Sequence, residues 1–328
     1  MNKIMNLAPD LYQKDKLEQK PTRDGYGEGL VELGKKDKNV VVLCADLTGS
    51  TRSKMFKDEF PDRFIEVGIA EQNMMGLATG LALVGKIPFV STYSVFCPGR
   101  NWDQLRIGVA YNQTNVKLTG AHAGISVGQD GATHQGLEDI AIVRVLPNMT
   151  VLAPCDAVET KKATIAAGKM EGPVYLRFAR EATPVFTTTD TPFRIGEAEA
   201  FRKGKDATII ACGPIVYEAL LAAEDLSKQG IDVRVINNHT IKPIDDEMII
   251  KAAQETGAIV TGEDHQVTGG LGSAVAEVLS KNHPVPIEMI GVQDRFGESG
   301  APEELMKEFG LISANIKEAV KKVLKRKK

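Results

Sequence analysis

The sequence predicts an α/β protein of two doubly wound domains, each built on a mostly parallel sheet with crossover helices. Three observations carry this. Short apolar runs bounded by Gly, Pro and Asp alternate with longer amphipathic stretches. The rhythm breaks once, at the Pro-, Thr- and Asp-rich REATPVFTTTDTPF, and then resumes. A chain of 328 residues also exceeds one ordinary core.

Taken in order, NVVVLCAD, RFIEVG, IPFVST, VKLTGA, TVLAPC and PVYLRF are rich in β-branched and apolar residues, as strands buried on both faces are. Helices are expected from Lys54 to Phe60, through AEQNMMGLATGLALVG, and near DAVETKKATIAAGK, because parallel neighbours need crossovers. After the break, DATIIAC, DVRVIN, AIVTGE and VPIEMIG read as strands. PIVYEALLAAEDLSKQG, DDEMIIKAAQETG and LGSAVAEVLSKN read as the helices between them. The chain closes on the amphipathic NIKEAVKKVLKRKK, whose terminal cations suit a helix C-terminus better than a binding tail. The expected division is an N-terminal arm over 1–20, a first domain over 21–188 and a second over 189–328. Residues up to about Gln19 read either as an arm or as disordered chain.

An apolar fraction of 43%, 25% charged residues and a formal net charge of -3 describe a globular protein with no bulk positive field. Nucleic acid and anionic membrane are therefore not the expected partners; a small molecule or another protein is. No segment approaches a bilayer span, and the N-terminus lacks the apolar run of a signal peptide, so the cytoplasm is expected. Cys44, Cys97, Cys155 and Cys212 lie far apart and read as core thiols in a reducing compartment.

Parallel sheets gather function in loops beyond the carboxyl ends of their strands, which singles out Ala45 to Ser50, Val67 to Asn73, Ser91 to Phe96 and Gly120 to Gly136. Glu71 follows RFIEVG at the start of a nearly apolar helix, either at a cleft or simply as a carboxylate favoured by the helix dipole. Tyr93 and Phe96 form either an aromatic wall or ordinary core. The Gly120 to Gly136 loop holds His122, Asp130 and His134 among glycines, a set able to donate to and accept from sugar hydroxyls. GGLGSAV lacks the third glycine of a dinucleotide fingerprint, and QDG at Gln129 is not a Gly-Asp-Gly magnesium motif. His239, His265 and His283 read as structural; of the three, His265 in GEDH is the only functional candidate.

Taken together, DRFIEVGIAEQNMMGLATGLAL, IPFVSTYSVF, the His/Asp loop, PVYLRFAR and AIVTGEDHQVTGGLGSAVAEV resemble the transketolase family, in the family's order, from about Pro21 to the C-terminus. The resemblance implies a pyrimidine-binding domain and a transketolase C-terminal domain. The cofactor would be thiamine diphosphate with magnesium, bound mainly by a separate N-terminal, diphosphate-binding partner subunit in a heterotetramer. It implies transfer of a two-carbon ketol group between phosphosugars.

Residue by residue, Glu71 matches the glutamate that hydrogen-bonds a nitrogen of the cofactor's aminopyrimidine. Phe96 matches the aromatic stacked on that ring, Tyr93 a neighbouring wall, and Asp46 an acid near the cofactor. Asp130 matches a contact to a substrate hydroxyl and His134 a group near the reacting carbons. Arg23, Ser50, His122 and Arg180 match the cluster that holds the sugar phosphate. Departures are Gln129 for Glu, Ala132 for Pro, and CPGR after Phe96 for bulkier side chains. The rival readings are the matching half of a deoxyxylulose-phosphate synthase, the β subunit of a 2-oxo-acid dehydrogenase component, and a non-catalytic interaction subunit.

Overall fold

The computed structural model describes residues 6–327; residues 1–5, where the expected arm begins, and residue 328 lie outside the described residues. In chain order the strands are β1 (Gln19–Pro21), β2 (Val40–Cys44), β3 (Phe64–Glu66), β4 (Ile87–Tyr93), β5 (Lys117–Ala121), β6 (Thr150–Leu152) and β7 (Val174–Arg177). They continue with β8 (Ala182–Pro184), β9 (Glu199–Arg202), β10 (Ala207–Ala211), β11 (Val233–Asn237), β12 (Thr240–Lys242), β13 (Ile259–Gln266) and β14 (Ile287–Val292).

One sheet has the order β12-β6-β7-β5-β4-β2-β3 and the other β14-β13-β10-β11-β9, with β1 and β8 a separate antiparallel pair. All pairings in the first sheet are parallel except β12 on β6, and all in the second except β9 on β11. The fold is thus α/β with two largely parallel sheets. The sequence reading did not anticipate β1, β8, β9 or β12. Each is three or four residues long, too short to show a period, and is made a strand by its neighbour. β12 follows β11 of the second sheet, yet pairs with β6 at the edge of the first.

Every position of β2, β5 and β10 is buried, as a strand between two helical layers requires. Lys117 in β5 is the charged exception. Its ammonium donates to Asn115 Oδ1 and to the carbonyls of Met170 and Gly172, each at 2.6 Å, and burial pushes its pKa down to about 7. The helix Thr22–Lys36 lies so close to Ala157–Lys169 that a Cβ on Gly25 would stand 2.0 Å from the Ala157 carbonyl. Asp156 caps the second of these helices by accepting from the Glu159 amide at 2.9 Å. Its other oxygen takes the Phe186 and Thr187 amides at 2.9 and 2.6 Å, so the cap also ties down the segment joining the sheets.

The described part of the arm is packed. Leu11 and Leu17 are buried in the second sheet's core, the Ala8 amide donates to the Phe186 carbonyl at 2.8 Å, and Tyr217 Oη donates to the Leu11 carbonyl at 3.1 Å.

Candidate active site

Because β2, β3, β4, β5 and β7 run parallel, their carboxyl ends share one edge of the sheet. Asp46 and Ser50 follow β2, Glu71 follows β3, Phe96 follows Tyr93 at the end of β4, His122, Asp130 and His134 follow β5, and Arg180 follows β7. Arg23 is brought to them by its neighbour. Thr22 Oγ1 donates to the Ala179 carbonyl at 3.1 Å and accepts from the Ala179 amide at 2.8 Å, which fixes the first turn of its helix beside Arg180.

The centre is aromatic. Tyr93 stacks on His122 with ring centroids 4.0 Å apart and on Phe96 at 6.1 Å, and His134 presents its edge to both, 6.1 Å from Tyr93 and 5.6 Å from Phe96. Arg23 Nη1 donates to the Ser50 carbonyl at 3.1 Å and lies 3.4 Å from His122 Nε2. Ser50 thus contributes its backbone to this contact. Burial, followed by the charges of Arg23, Arg180 and Arg52 and then by His134, pushes the His122 pKa down to about 3, so its ring is neutral at ordinary pH. Burial and the nearby Arg52 also lower the Arg23 pKa. Among the described residues, Arg23 Nε and His122 Nδ1 are both buried without a hydrogen-bond partner, leaving polar capacity unspent at this point.

Arg180 donates to the Val127 carbonyl at 2.8 Å and pairs with Asp130 at 3.5 Å. Asp46 takes a positive φ of 58° and gives its amide to Glu66 Oε1 at 2.7 Å; among the described residues, no hydrogen bond or ion pair joins its side chain to the other predicted residues.

Glu71 starts the helix Glu71–Leu83 and is 1% exposed, so it is more than a solvated helix-start charge. Its Oε2 accepts from Arg100 Nη1 at 2.8 Å, and the Arg100 guanidinium lies 4.5 Å over the Phe96 ring. A carboxylate without a partner at such depth would be costly, and Arg100 supplies the partner. Arg100 carried no assignment in the sequence. Its one signal was the departure at CPGR, which concealed a charged contact to Glu71.

Sequence reasoning also missed the buried group behind the loop. Arg177 Nε donates to Asp139 Oδ2 at 2.9 Å, Tyr175 Oη donates to the same oxygen at 2.7 Å, and Arg177 Nη2 donates to the Asp264 carbonyl at 2.6 Å. His265 is fully buried between Asp139 and Glu263, and burial pushes its pKa down to about 4. The GGLGSAV helix start is filled by the chain itself, since Glu263 accepts from the Leu271 and Gly272 amides at 2.7 and 2.8 Å. Among the described residues, no group of three or more His, Cys, Asp or Glu could hold a metal ion. Among them, too, no helix is long and apolar enough to cross a membrane.

The fold and this edge define the class: a two-domain α/β protein whose first sheet gathers a buried carboxylate, an aromatic stack and an arginine-histidine cluster beyond its strands. Residues 18–185 match the family model described as transketolase, pyrimidine binding domain, and residues 196–316 match that described as transketolase, C-terminal domain. The chain belongs to the transketolase family.

It is 47% identical to a Methanocaldococcus jannaschii protein named as a transketolase C-terminal section, over 94% of this chain and 97% of that one. It is 44% identical to a 6-deoxy-6-sulfo-D-fructose transketolase subunit of a Clostridium species, over 95% and 97% of the two chains. A solved structure described as a split gene transketolase, inactive β4 tetramer, superposes with a TM-score of 0.89 at 46% identity, covering 94% of this chain and 100% of that one.

Proposed function

We propose that this chain is the C-terminal subunit of a two-subunit transketolase that moves a two-carbon ketol group from a ketose phosphate to an aldose phosphate. Thiamine diphosphate and magnesium would be shared with an N-terminal, diphosphate-binding partner subunit in a heterotetramer. The observation that carries this reading is the seat formed by Glu71 and Phe96. They already hold a planar nitrogen cation, the Arg100 guanidinium, by a carboxylate bond and a ring face. An aminopyrimidine offers the same two features, a flat face and ring nitrogens, so these residues suit that end of the cofactor. When bound, thiamine diphosphate supplies the carbon that takes up the two-carbon unit.

The chain's own residues do the rest in this reading. Glu71 shares a proton with the pyrimidine nitrogen, which a dry carboxyl group can do, and Phe96 with Tyr93 fixes the ring plane. Asp46 stands near the cofactor. Asp130 accepts a sugar hydroxyl, and His134 attends the reacting carbons from the edge of the aromatic pair. Arg23, His122, Arg180 and the Ser50 segment hold the terminal oxyanion, with the unspent Arg23 Nε and His122 Nδ1 as the open contacts. The relative named for a sulfo-sugar makes a sulfonate the natural competitor of phosphate there, since both are tetrahedral oxyanions.

The partner surface lies next to Glu71. Ile69, Leu77, Leu83, Val84, Ile107 and Tyr111 are exposed on or beside the helix Glu71–Leu83, and a Cβ on Gly76 or Gly80 would meet nothing within 4 Å. An apolar face with bare backbone invites close packing by another chain. The test is ketol transfer by the isolated chain with cofactor and magnesium, before and after addition of the N-terminal subunit. Turnover should appear only with both chains, and substantial turnover by this chain alone would overturn the split-subunit reading.

A further inference from the structure

The loop after β5 is glycine-rich and long, which on its own would leave Asp130 and His134 mobile. It is held because the second domain grips it from behind. The Ile125 amide donates to Asp264 Oδ1 at 2.9 Å, and Gly124, at φ +85°, passes so close that a Cβ there would stand 1.9 Å from Asp264 Oδ2. Gln135 Nε2 bridges the loop's own Ile125 carbonyl, at 3.1 Å, to the Glu298 carbonyl of the second domain at 3.0 Å. Arg177 Nη2 joins the Asp264 carbonyl to the Gly136 carbonyl, and the Gln266 amide donates to the Leu137 carbonyl at 2.8 Å. At the far bend, Gly128 faces Pro302, and Gly131 faces Ser299 so closely that a Cβ would stand 2.4 Å from its Oγ. Most of these contacts come from β13 and from the segment between Glu298 and Pro302, far along the chain.

We propose that the second domain is a positioning element of the sugar site: Asp264 and Gln135 are the residues through which it sets the loop that carries Asp130 and His134. The substrate part of this statement rests on the function proposed above; the loop part does not. Among the described residues the side-chain hydrogen bonds of both go to backbone groups and not to the aromatic stack, so both act through backbone geometry. A loop already ordered before substrate arrives saves the entropy of ordering it on binding, and that saving shows in substrate affinity.

The test uses the full chain with Gln135→Met, which keeps length but removes the bridge, and Asp264→Asn, which keeps shape but removes the charge. In the isolated chain, hydrogen-deuterium exchange of the peptide spanning 120–137 should rise about tenfold in either variant, as expected when a local opening is favoured by loss of the two Gln135 bonds or by weakening of the charge-assisted bond to Asp264. Exchange elsewhere should be unchanged. With the partner added, KM for the phosphosugar should rise about tenfold while kcat and cofactor affinity stay within roughly twofold. Should Asp264→Asn fail to fold, Gln135→Met carries the same test.

Unchanged loop exchange in the folded variants would overturn the proposal whatever the activity. So would a loss shared equally by loop exchange, exchange elsewhere, cofactor affinity and melting temperature, which is what a purely structural role produces. An inactive wild-type complex would instead sink the transketolase reading, and the exchange result would still decide how the loop is held.

Discussion

Arg100 bonds Glu71 at 2.8 Å while its guanidinium lies across Phe96, so the chain itself fills the space where a planar ligand would meet both groups. The pair is asymmetric. Glu71 is 1% exposed, whereas the Arg100 side chain is 46% exposed and can turn to solvent. A flat nitrogen heterocycle can therefore replace Arg100 at the carboxylate without any rearrangement of the helix that begins at Glu71.

The first prediction follows from that asymmetry. Glu71→Gln keeps the volume and loses the acid, so ketol transfer by the assembled complex should fall by about 10²–10⁴, the usual effect of removing a general acid or base. Melting should hardly change, because Arg100 is free to hydrate. The readouts are turnover, proton exchange of the bound cofactor and thermal melting, side by side. Normal turnover with a lowered melting temperature would return Glu71 to a structural role.

A second prediction concerns pH. The folded His122 pKa is pushed down to about 3 from an ordinary 6.5, so between those values the unfolded chain binds a proton that the folded chain refuses. Its contribution to stability is therefore complete above about pH 6.5 and is lost as the pH falls toward 3, at about 1.4 kcal/mol per pH unit. Glu263, raised to about 8 by burial, acts with the opposite sign, stabilising below its unfolded pKa and losing that as pH rises. Wild-type melting alone mixes these two with His239, His265 and Glu159, which burial also shifts. The informative quantity is the difference: His122→Gln should lose less stability than wild type between pH 6.5 and 4. Parallel curves would show that His122 is not held neutral.

The sheet class and its crossovers were legible because the central strands VVVLC, KLTGA and ATIIA are apolar enough to be recognised without neighbours. The strand β12 was not, since Thr240–Lys242 is defined by pairing with β6 and has no pattern of its own. The same division runs through the site. Ser50, Tyr93, Phe96, His122 and His134 could be placed at one edge because each lies at or just after a strand end, whereas Arg23 and Arg180 entered only through the family resemblance. Arg100 and Asp264 could not be placed, because their importance lies in which buried group they meet. That depends on the turn after Phe96 and on how the second sheet docks, and neither leaves a periodic signal in the chain.

A third prediction takes Arg180, which holds the Val127 carbonyl and Asp130 and faces the His122 cluster. Arg180→Ala should weaken use of phosphorylated sugars by roughly 1.5–3 kcal/mol in kcat/KM, about 10–150-fold, while leaving unphosphorylated sugars nearly untouched. Both substrate kinds are measured on the same preparation. An equal loss on both would mean that Arg180 serves only to hold the loop through Val127.

The last prediction separates stability from assembly at a single residue. Gly80 lies in the last turn of the helix Glu71–Leu83, exposed, with nothing within 4 Å of where its Cβ would be. In the free chain a glycine there costs about 1 kcal/mol relative to a good helix former, and a cation near a helix C-terminus is favourable. Gly80→Ala and Gly80→Arg should therefore both melt higher than wild type when the chain is alone. If the face carrying Leu77, Leu83 and Val84 receives the partner, the arginine projects into that contact, and a desolvated charge among apolar side chains is strongly unfavourable. Gly80→Arg should then lose co-elution with the N-terminal subunit and ketol transfer, despite its higher melting temperature. Full assembly and turnover by Gly80→Arg would place the partner on another surface.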